Sequence, residues 1–255
     1  MDRPVVISDV DGVLRAKKGS VGYEIEDAVR SFCGKGGIFI MITGAPSSHV
    51  PTNLPAHIVL AEAGGIMQMV EEGGLRKFQP GVEAVNQLKS WLGINPKWND
   101  GLAHIDGESV IIEGPRETSL TFLVGNPPHY EGLHTSISLR DLKRRVDLAI
   151  QVQSLPLTVS LGEDTTYEYM DVFSMTKARV LNHLIEQTDW RGAYLLGDGQ
   201  PELEAMMLLE VIPVGFSNSI EKIRALARER GVFIDLPGPE GGVVEFFRQL
   251  KSGKI

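Results

Sequence analysis

The sequence has a single cysteine, no long apolar run and no long run of basic residues, and each shortage excludes a class of protein. Cys33 is alone, so no intramolecular disulfide can form. No apolar run reaches the roughly 20 residues that a helix needs to cross a bilayer, and no signal-peptide core follows Met1. A net charge of −8 without a basic run argues against nucleic-acid binding, which needs a positive field. We therefore expect a cytoplasmic protein that binds neither membrane nor nucleic acid.

Several enzyme motifs are also missing. The chain has no Gly-x-Ser-x-Gly elbow of a serine hydrolase. Its glycine cluster at 34–37 lacks the spacing of a P-loop or a dinucleotide fingerprint. His129 and His134 are spaced like metal ligands, but no cysteine lies near them and Glu131 is the one acidic residue between them, so we do not expect zinc there. What remains is a 255-residue chain that is 42% hydrophobic, enough for a large folded core.

The two ends of the chain alternate short apolar strands with amphipathic helices. Runs that are apolar on both faces are typical of parallel strands covered by helices on each side. The pattern predicts an α/β fold, with a doubly wound, mostly parallel, Rossmann-like sheet as its core. The predicted strands are 5–7, 38–42, 57–60, 193–196 and 211–214.

The middle of the chain has a different pattern. From about residue 81 to 171 the strands alternate polar and apolar residues, as in 118–123, which is typical of half-exposed antiparallel strands. Two amphipathic helices are predicted here, and Ser138-x-x-Asp141 forms a capping box at the start of the second. The segment 93–107 is rich in turn residues and is predicted to be a loop. The sequence therefore predicts a core of residues 1–80 and 172–255, with an inserted α+β cap domain at 81–171.

Four polar spots follow the core strands or begin a helix. They are Asp9-Val10-Asp11-Gly12, Thr43-Gly44, Lys177 and Gly197-Asp198-Gly199. Ligands of open α/β sheets bind outside the carboxyl ends of the strands, so we expect these spots to converge. Three carboxylates that lie together need a cation, and hard oxygen ligands favour Mg²⁺. One carboxylate can then form an aspartyl-phosphate, while another protonates the leaving oxygen.

The same four motifs, in the same order, resemble those of the haloacid dehalogenase (HAD) superfamily of phosphatases. An insert between the second and third motifs resembles the C2-capped branch, which includes Cof-type sugar phosphatases, archaeal phosphoglycolate phosphatase and sucrose-phosphate phosphatase. The resemblance implies that Asp9 is the nucleophile and a metal ligand, and that Asp11 is the acid/base and offers its carbonyl oxygen to Mg²⁺. It also implies that Asp198 holds the metal. The phosphoryl group would be bound by Thr43, Gly44 and Lys177.

The chain departs from this pattern in two places. Family members usually continue the fourth motif as Gly-Asp-x-x-Asn-Asp, whereas this chain has Pro201-Glu202 at the last two positions. Glu202 can replace an acidic metal ligand, but Pro201 cannot replace an amide side chain. After Thr43-Gly44 the chain has Ala45, where related enzymes often have Arg.

These observations favour a Mg²⁺-dependent phosphatase that hydrolyses small phosphorylated metabolites, either sugar phosphates or phospho-acids. Two alternatives stay open: a sugar phosphomutase on the same scaffold, and a non-catalytic protein that binds phosphate or a partner. The presence of both Asp9 and Asp11 argues against the last, because two adjacent buried carboxylates are costly without a use. In the insert, Arg116 is the preferred candidate for binding a substrate carboxylate or second phosphate. The natural substrate and the oligomeric state are not predicted.

Overall fold

A computed structural model shows that the chain divides into two compact units. The first unit contains Met1–Lys77 and Thr176–Ile255, and the second contains Phe78–Met175, so the second is inserted into the sequence of the first. The structure describes residues 3–16, 19–71, 74–79, 81–95, 97, 100–163, 166–188, 190–208 and 210–255. Within this part of the chain, no helix has both the length and the hydropathy to cross a membrane.

The chain forms two sheets and a set of helices. The strands are β1 (Val5–Asp9), β2 (Ile38–Ile42), β3 (Ile58–Ala61), β4 (Ile66–Glu71), β5 (Gly74–Phe78), β6 (Gly101–Ile105), β7 (Glu108–Glu113), β8 (Ser119–Gly125), β9 (Thr158–Glu163), β10 (Tyr167–Phe173), β11 (Tyr194–Leu196), β12 (Ile212–Phe216) and β13 (Val232–Ile234). The helices are α1 (Tyr23–Cys33), α2 (Val82–Trp91), α3 (Leu139–Val152), α4 (Lys177–Thr188), α5 (Gln200–Leu208), α6 (Glu221–Arg230) and α7 (Gly242–Lys251).

The larger sheet has the strand order β13-β12-β11-β1-β2-β3-β4-β5. Strands β13 to β3 in this order pair in parallel, and β4 pairs antiparallel with β3. Along the chain, strands are added on one side of β1 as far as β5 and on the other side from β11 to β13. The strand order therefore reverses at β1, which makes its carboxyl end the expected ligand site of the sheet. The predicted fold class, a doubly wound, mostly parallel sheet, is confirmed.

The first unit is built around buried strands. Every residue of β1 is buried, as is nearly all of β2, and parallel strands of this kind need cover on both faces. One apolar cluster joins Val6 and Phe39 of the sheet to Phe246 and Phe247 of α7, with Ile25 of α1 beside them. Burial of each large side chain contributes about 1.5–3 kcal/mol to the free energy of unfolding. The cluster therefore stabilises β1, which ends at Asp9 and continues into the loop that carries Asp11.

The second unit is an antiparallel sheet with two helices. Its strand order is β6-β7-β8-β10-β9, and all four pairings are antiparallel. Leu88 of α2 and Val146 of α3 pack with Phe122 and Met170 of the sheet. The predicted cap of the second helix is present, because the Ser138 hydroxyl accepts a hydrogen bond from the Asp141 backbone N–H at 3.1 Å.

The prediction of a loop at 93–107 is wrong in part. Residues Gly101–Ile105 form β6 and pair with β7. Between the two strands, Asp106 and Gly107 have φ values of 52° and 84°, as a two-residue type I′ hairpin turn requires. Asp-Gly therefore marks a hairpin between strands and not a long loop. Residues 96, 98 and 99 of the predicted loop lie outside the described residues.

The prediction that the strand at 118–123 is half-exposed is also wrong. This strand, β8, is antiparallel as expected, but its polar residues Ser119 and Thr121 are buried along with its apolar ones. The Thr121 hydroxyl donates a hydrogen bond to the Asp171 carboxylate of the neighbouring β10. A polar residue that finds a partner inside the fold does not have to face solvent, and for this reason alternation alone misjudged the exposure.

Candidate active site

Strand register brings three of the predicted motifs to one edge of the larger sheet. Asp9 ends β1 and lies opposite Ile42, which ends β2, so Thr43 follows directly beside it. On the other side, Leu196 ends β11 and lies opposite Ser8. The segment Gly197-Asp198 therefore emerges next to Asp9. The three segments meet at the carboxyl end of β1, where the strand order reverses.

Lys177, the first residue of α4, lies between two carboxylates of this site. Its Nζ is 2.6 Å from Asp9 Oδ1 and also forms an ion pair with Glu202 Oε1 in the first turn of α5. All three residues are buried, with 7% of Lys177, 6% of Asp9 and 2% of Glu202 exposed. Burying charges is costly unless they are paired and hydrogen-bonded. The three side chains can be buried together because Lys177 pairs with both carboxylates.

Burial and neighbouring charges shift the pKa values of two residues in the site. Burial raises the pKa of Asp9 from its ordinary value of 3.8 to about 7, although Lys177 works in the opposite direction; the carboxylates of Glu202 and Asp198 add to the rise. For Lys177, burial alone would lower the pKa, but Asp9 and Glu202 outweigh it and raise the pKa above its usual value. Lys177 is therefore protonated, and it lies against two buried carboxylates. A bound divalent cation would add positive charge to the same groups and lower the pKa of Asp9.

The carboxylates of Asp9, Asp198 and Glu202 are arranged so that they could hold a metal ion. Each offers one oxygen, and these oxygens all lie within 4.8 Å of one another. Hard oxygen ligands of this kind suit Mg²⁺, which is bound by one or two carboxylates together with water and substrate phosphate. Glu202 has other duties as well, since Oε1 pairs with Lys177 and Oε2 accepts the Gly199 N–H at 3.1 Å. Glu202 therefore supports the lysine and the loop, in addition to any metal that the three carboxylates hold.

Thr43 is fixed by its own loop. Its hydroxyl oxygen accepts a hydrogen bond from the Ala45 N–H at 3.0 Å, and its backbone N–H donates to the carbonyl oxygen of Leu60 in β3 at 2.8 Å. Because the hydroxyl acts as acceptor in this bond, its own hydrogen can still be donated to a phosphoryl oxygen. A Cβ atom placed on Gly44 would meet no atom within 4 Å. The space on the side of Gly44 where a Cβ would lie is therefore not filled by other protein atoms.

Asp11 differs from the expectation that both aspartates of the first motif are buried. Its side chain is 31% exposed and forms an ion pair with Arg15, Nε to Oδ1, at 2.8 Å. Only Asp9 of the two lies inside the sheet, because Asp11 belongs to the loop beyond it. The two carboxylates that are costly to bury are therefore Asp9 and its neighbour Glu202, and not Asp9 and Asp11.

Sequence reasoning included Gly12 in the first motif but missed how it packs, and it missed two residues after β12 that hold these loops together. Gly12 has a φ of 86°, and a Cβ there would lie 2.0 Å from Asp198 Oδ2, so only glycine allows this approach. Asn218, after β12, donates a hydrogen bond to the Gly12 carbonyl oxygen at 2.7 Å. Its neighbour Ser219 donates to the Gly197 carbonyl oxygen at 3.0 Å. The polar run Ser217-Asn218-Ser219 directly after an apolar strand is the signal that could have identified the last two.

Arg116 lies in the second unit, between β7 and β8. It is buried, and its Nη2 donates to Glu113 Oε2 at 3.2 Å. Burial raises the pKa of the nearby Asp171 carboxyl, while the positive charge of Arg116 acts to lower it. Arg116 is therefore part of a cluster of charged residues within the second unit, which holds its guanidinium in place.

Comparison with known proteins identifies the fold. No protein-family model matches the sequence, and no curated protein matches it. Solved structures do match over the full length. One is a protein of Thermotoga maritima, with a TM-score of 0.64, 15% identity and 97% of each chain covered. A haloacid dehalogenase-like hydrolase from Bacteroides thetaiotaomicron gives a TM-score of 0.63 at 15% identity, covering 98% of this chain and 100% of that one.

A sugar phosphatase of HAD subclass IIB gives a TM-score of 0.59 at 13% identity, with 99% of this chain and 100% of that chain covered. At such low identities the similarity concerns the fold. Both units of the chain are included in it, since almost no residue lies outside the matches. The resemblance to HAD phosphatases is thus confirmed for the fold of the whole chain.

Proposed function

We propose that this protein is a Mg²⁺-dependent phosphatase of small phosphorylated metabolites, with Asp9 as the nucleophile. The observation that carries the proposal is the buried triad of Asp9, Lys177 and Glu202 at the carboxyl end of β1. A buried carboxylate held against a protonated lysine, with two further carboxylates close enough to share a cation with it, is an arrangement for binding and attacking a phosphoryl group. Its location on a fold shared with HAD phosphatases supports the same conclusion.

The proposed reaction has two steps, and the side chains of the first motif act in both. A carboxylate oxygen of Asp9 forms a bond to phosphorus, the ester P–O bond breaks, and the leaving oxygen keeps that electron pair and takes a proton from Asp11. Water then attacks the aspartyl-phosphate, Asp11 removes its proton, and the Asp9–phosphorus bond breaks. This releases inorganic phosphate and restores both carboxyl groups to their starting states.

The remaining residues bind and neutralise the phosphoryl group. Lys177 has three donors, of which Asp9 and Glu202 take two, so one remains for a phosphoryl oxygen. Thr43 offers its hydroxyl hydrogen, and the lack of a side chain at Gly44 leaves space beside it for the phosphoryl group. Mg²⁺, held by Asp9, Asp198 and the Asp11 carbonyl oxygen, would supply the charge needed to balance the carboxylates and the phosphoryl oxygens.

The metal assignment predicts how two substitutions differ. Asp198→Asn should raise the Mg²⁺ concentration for half-maximal activity by about tenfold or more, because it removes a direct anionic ligand. Glu202→Gln should raise this Mg²⁺ concentration less, because both Glu202 oxygens already accept hydrogen bonds, from Lys177 and from the Gly199 N–H. Asp27→Asn, on the exposed surface of α1, is the matched control and should change nothing. If Glu202→Gln has the larger effect on Mg²⁺ dependence, the two carboxylates have been assigned in the wrong order.

For Arg116 we propose a role in recognising a second anionic group of the substrate. Arg116→Ala should raise the KM for a phospho-acid such as 2-phosphoglycolate by about tenfold, since a charged hydrogen bond contributes roughly 1.5–3 kcal/mol. The same substitution should leave the KM for p-nitrophenyl phosphate nearly unchanged, because that ester has no second anionic group. Arg140→Ala, on the exposed surface of α3, is the control. Equal losses on both esters would mean that Arg116 supports the fold of its unit and not recognition.

The experiment that tests the function is phosphate release from p-nitrophenyl phosphate with Mg²⁺ and with a chelator. We expect steady, Mg²⁺-dependent release. A protein that binds phosphate but releases none from this ester or from sugar phosphates would be a binding protein. Transfer of the phosphoryl group to a second sugar hydroxyl, in place of water, would indicate a phosphomutase.

A further inference from the structure

The loop that carries Asp11 also carries the residue that binds it. Arg15 Nε donates to Asp11 Oδ1 at 2.8 Å, and Nη2 of the same side chain faces Oδ2 at 3.4 Å. The loop is closed by backbone hydrogen bonds: the Gly12 N–H donates to the Arg15 carbonyl oxygen at 2.7 Å, and the Arg15 N–H donates to the Val10 carbonyl oxygen at 3.1 Å. Both ends of the pair are therefore held by the backbone.

This pair is more than a surface ion pair. The Arg15 side chain is only 15% exposed, and its planar guanidinium fork faces both Asp11 oxygens, one at short distance and one at long distance. Exposed pairs contribute little because two long side chains must be ordered. Here the backbone hydrogen bonds of the loop fix the chain around both residues, so that only the side-chain torsions remain to be ordered.

Asp11 needs another side chain to orient its carboxylate if it is to act as the general acid. A general acid has to lie within about 2.6–3.2 Å of the leaving oxygen, and a misplacement of about 1 Å can cost roughly 10²-fold. The Asp11 side chain is partly exposed, so burial alone does not fix its direction. Within the described part of the chain, Arg15 is the side chain found to hydrogen-bond its carboxylate.

The unequal lengths of the two contacts distinguish the two oxygens. The 2.8 Å contact fixes Oδ1 as an acceptor, while the 3.4 Å contact at Oδ2 is weak. A proton on Oδ2 is compatible with the short contact, since a neutral carboxyl group still accepts through its other oxygen. Oδ2 can therefore give its proton to the leaving oxygen and take one back from water without releasing Arg15 Nε.

We propose that Arg15 is a positioning residue, which holds Asp11 through Oδ1 and presents Oδ2 to the leaving oxygen. The role rests on the proposed phosphatase function and adds a residue to it. Its consequence is selective: Arg15 matters when the leaving oxygen needs a proton. An ester of phenol needs that proton much more than an ester of p-nitrophenol, although the two have nearly the same shape and the same phosphoryl group.

The test compares the two esters in Arg15→Gln. We expect kcat/KM to fall by about 10-fold or more for phenyl phosphate and by less than about threefold for p-nitrophenyl phosphate, because general acid help contributes roughly 10²–10⁴ only where a proton is needed. Arg15→Lys keeps one cation without the fork and should recover part of the loss. Arg30→Gln, which breaks an exposed pair of the same spacing with Glu26 on α1, is the matched control and should affect neither ester.

A double-mutant cycle with Asp11→Asn makes the test specific. If Arg15 acts through Asp11, Arg15→Gln should cause no further loss on phenyl phosphate once Asp11 is replaced. Additive losses, equal losses on both esters, or no loss on either would each overturn the role of Arg15 while leaving the phosphatase itself in place. A parent protein that releases no phosphate from either ester would overturn the proposed function and this role together, and the parent is measured first.

Discussion

Asp9→Asn is expected to lower phosphate release from p-nitrophenyl phosphate by at least about 10³-fold, as the loss of a catalytic nucleophile does. An amide of the same size cannot take up the phosphoryl group, so the first step of the reaction is lost. The measurement is the initial rate at saturating Mg²⁺. Turnover within tenfold of the parent would mean that another group attacks phosphorus.

The same variant should stay folded, and its stability should show the predicted dependence on pH. The pKa of Asp9 is raised by burial from 3.8 to about 7, so the folded protein binds this proton more tightly than the unfolded chain. Asp9 therefore favours folding at low pH, and this contribution is lost as the pH rises between those two values. Because asparagine does not titrate, Asp9→Asn should gain stability relative to the parent as the pH rises through that window. Thermal unfolding with a chelator present measures this difference.

Lys177→Met is expected to harm both stability and activity. Removing the lysine leaves Asp9 and Glu202 buried without their cation, and breaking a buried ion pair in this way costs roughly 3–5 kcal/mol in the free energy of unfolding. The rate should fall by about 10²-fold or more, since a phosphoryl-binding donor is lost. Urea unfolding and the aryl phosphate assay measure the two effects separately.

Two further observations would show that the lost stability comes from uncompensated carboxylates. Mg²⁺ should restore part of the stability of Lys177→Met, because it supplies positive charge to the same groups. Lowering the pH from about 8 to about 5 should also restore part of it, since Asp9 then folds without its charge. Lys222→Met, on the exposed surface of α6, should show neither loss nor rescue. If Lys177→Met is as stable as the parent, then the buried triad is not the arrangement described here.

The sheet of the first unit follows from local sequence, because continuous apolar runs such as the one in β2 can only be buried on both faces. The two wrong predictions about secondary structure and strand exposure both fall in the second unit. Its hairpin between β6 and β7 is marked by the single turn at Asp106-Gly107, within a segment otherwise rich in polar and turn residues. The polar residues of β8 are buried because Asp171, about 50 residues later in the chain, provides a partner for Thr121.

The same distinction applies to the site. Asp9 and Thr43 could be placed from strand ends alone, since parallel strands end at the same edge of a sheet. The contact of Lys177 with Glu202 depends on how α4 packs against α5, which no local pattern shows. Asp11 and Arg15 are only four residues apart in sequence. Their ion pair forms in a loop, however, where spacing alone does not predict which side chains meet.

The most direct test of the account is to identify the residue that carries the phosphoryl group. The protein would be mixed with p-nitrophenyl phosphate and Mg²⁺, quenched in acid during turnover, treated with borohydride and digested for peptide mass analysis. Borohydride reduces an acyl phosphate to the alcohol, so an aspartyl-phosphate at Asp9 would be found as homoserine at position 9. We expect this product in the parent with substrate, and not without substrate or in Asp9→Asn. Reduction at another carboxylate, or rapid phosphate release with Asp9 unmodified throughout, would contradict the central claim.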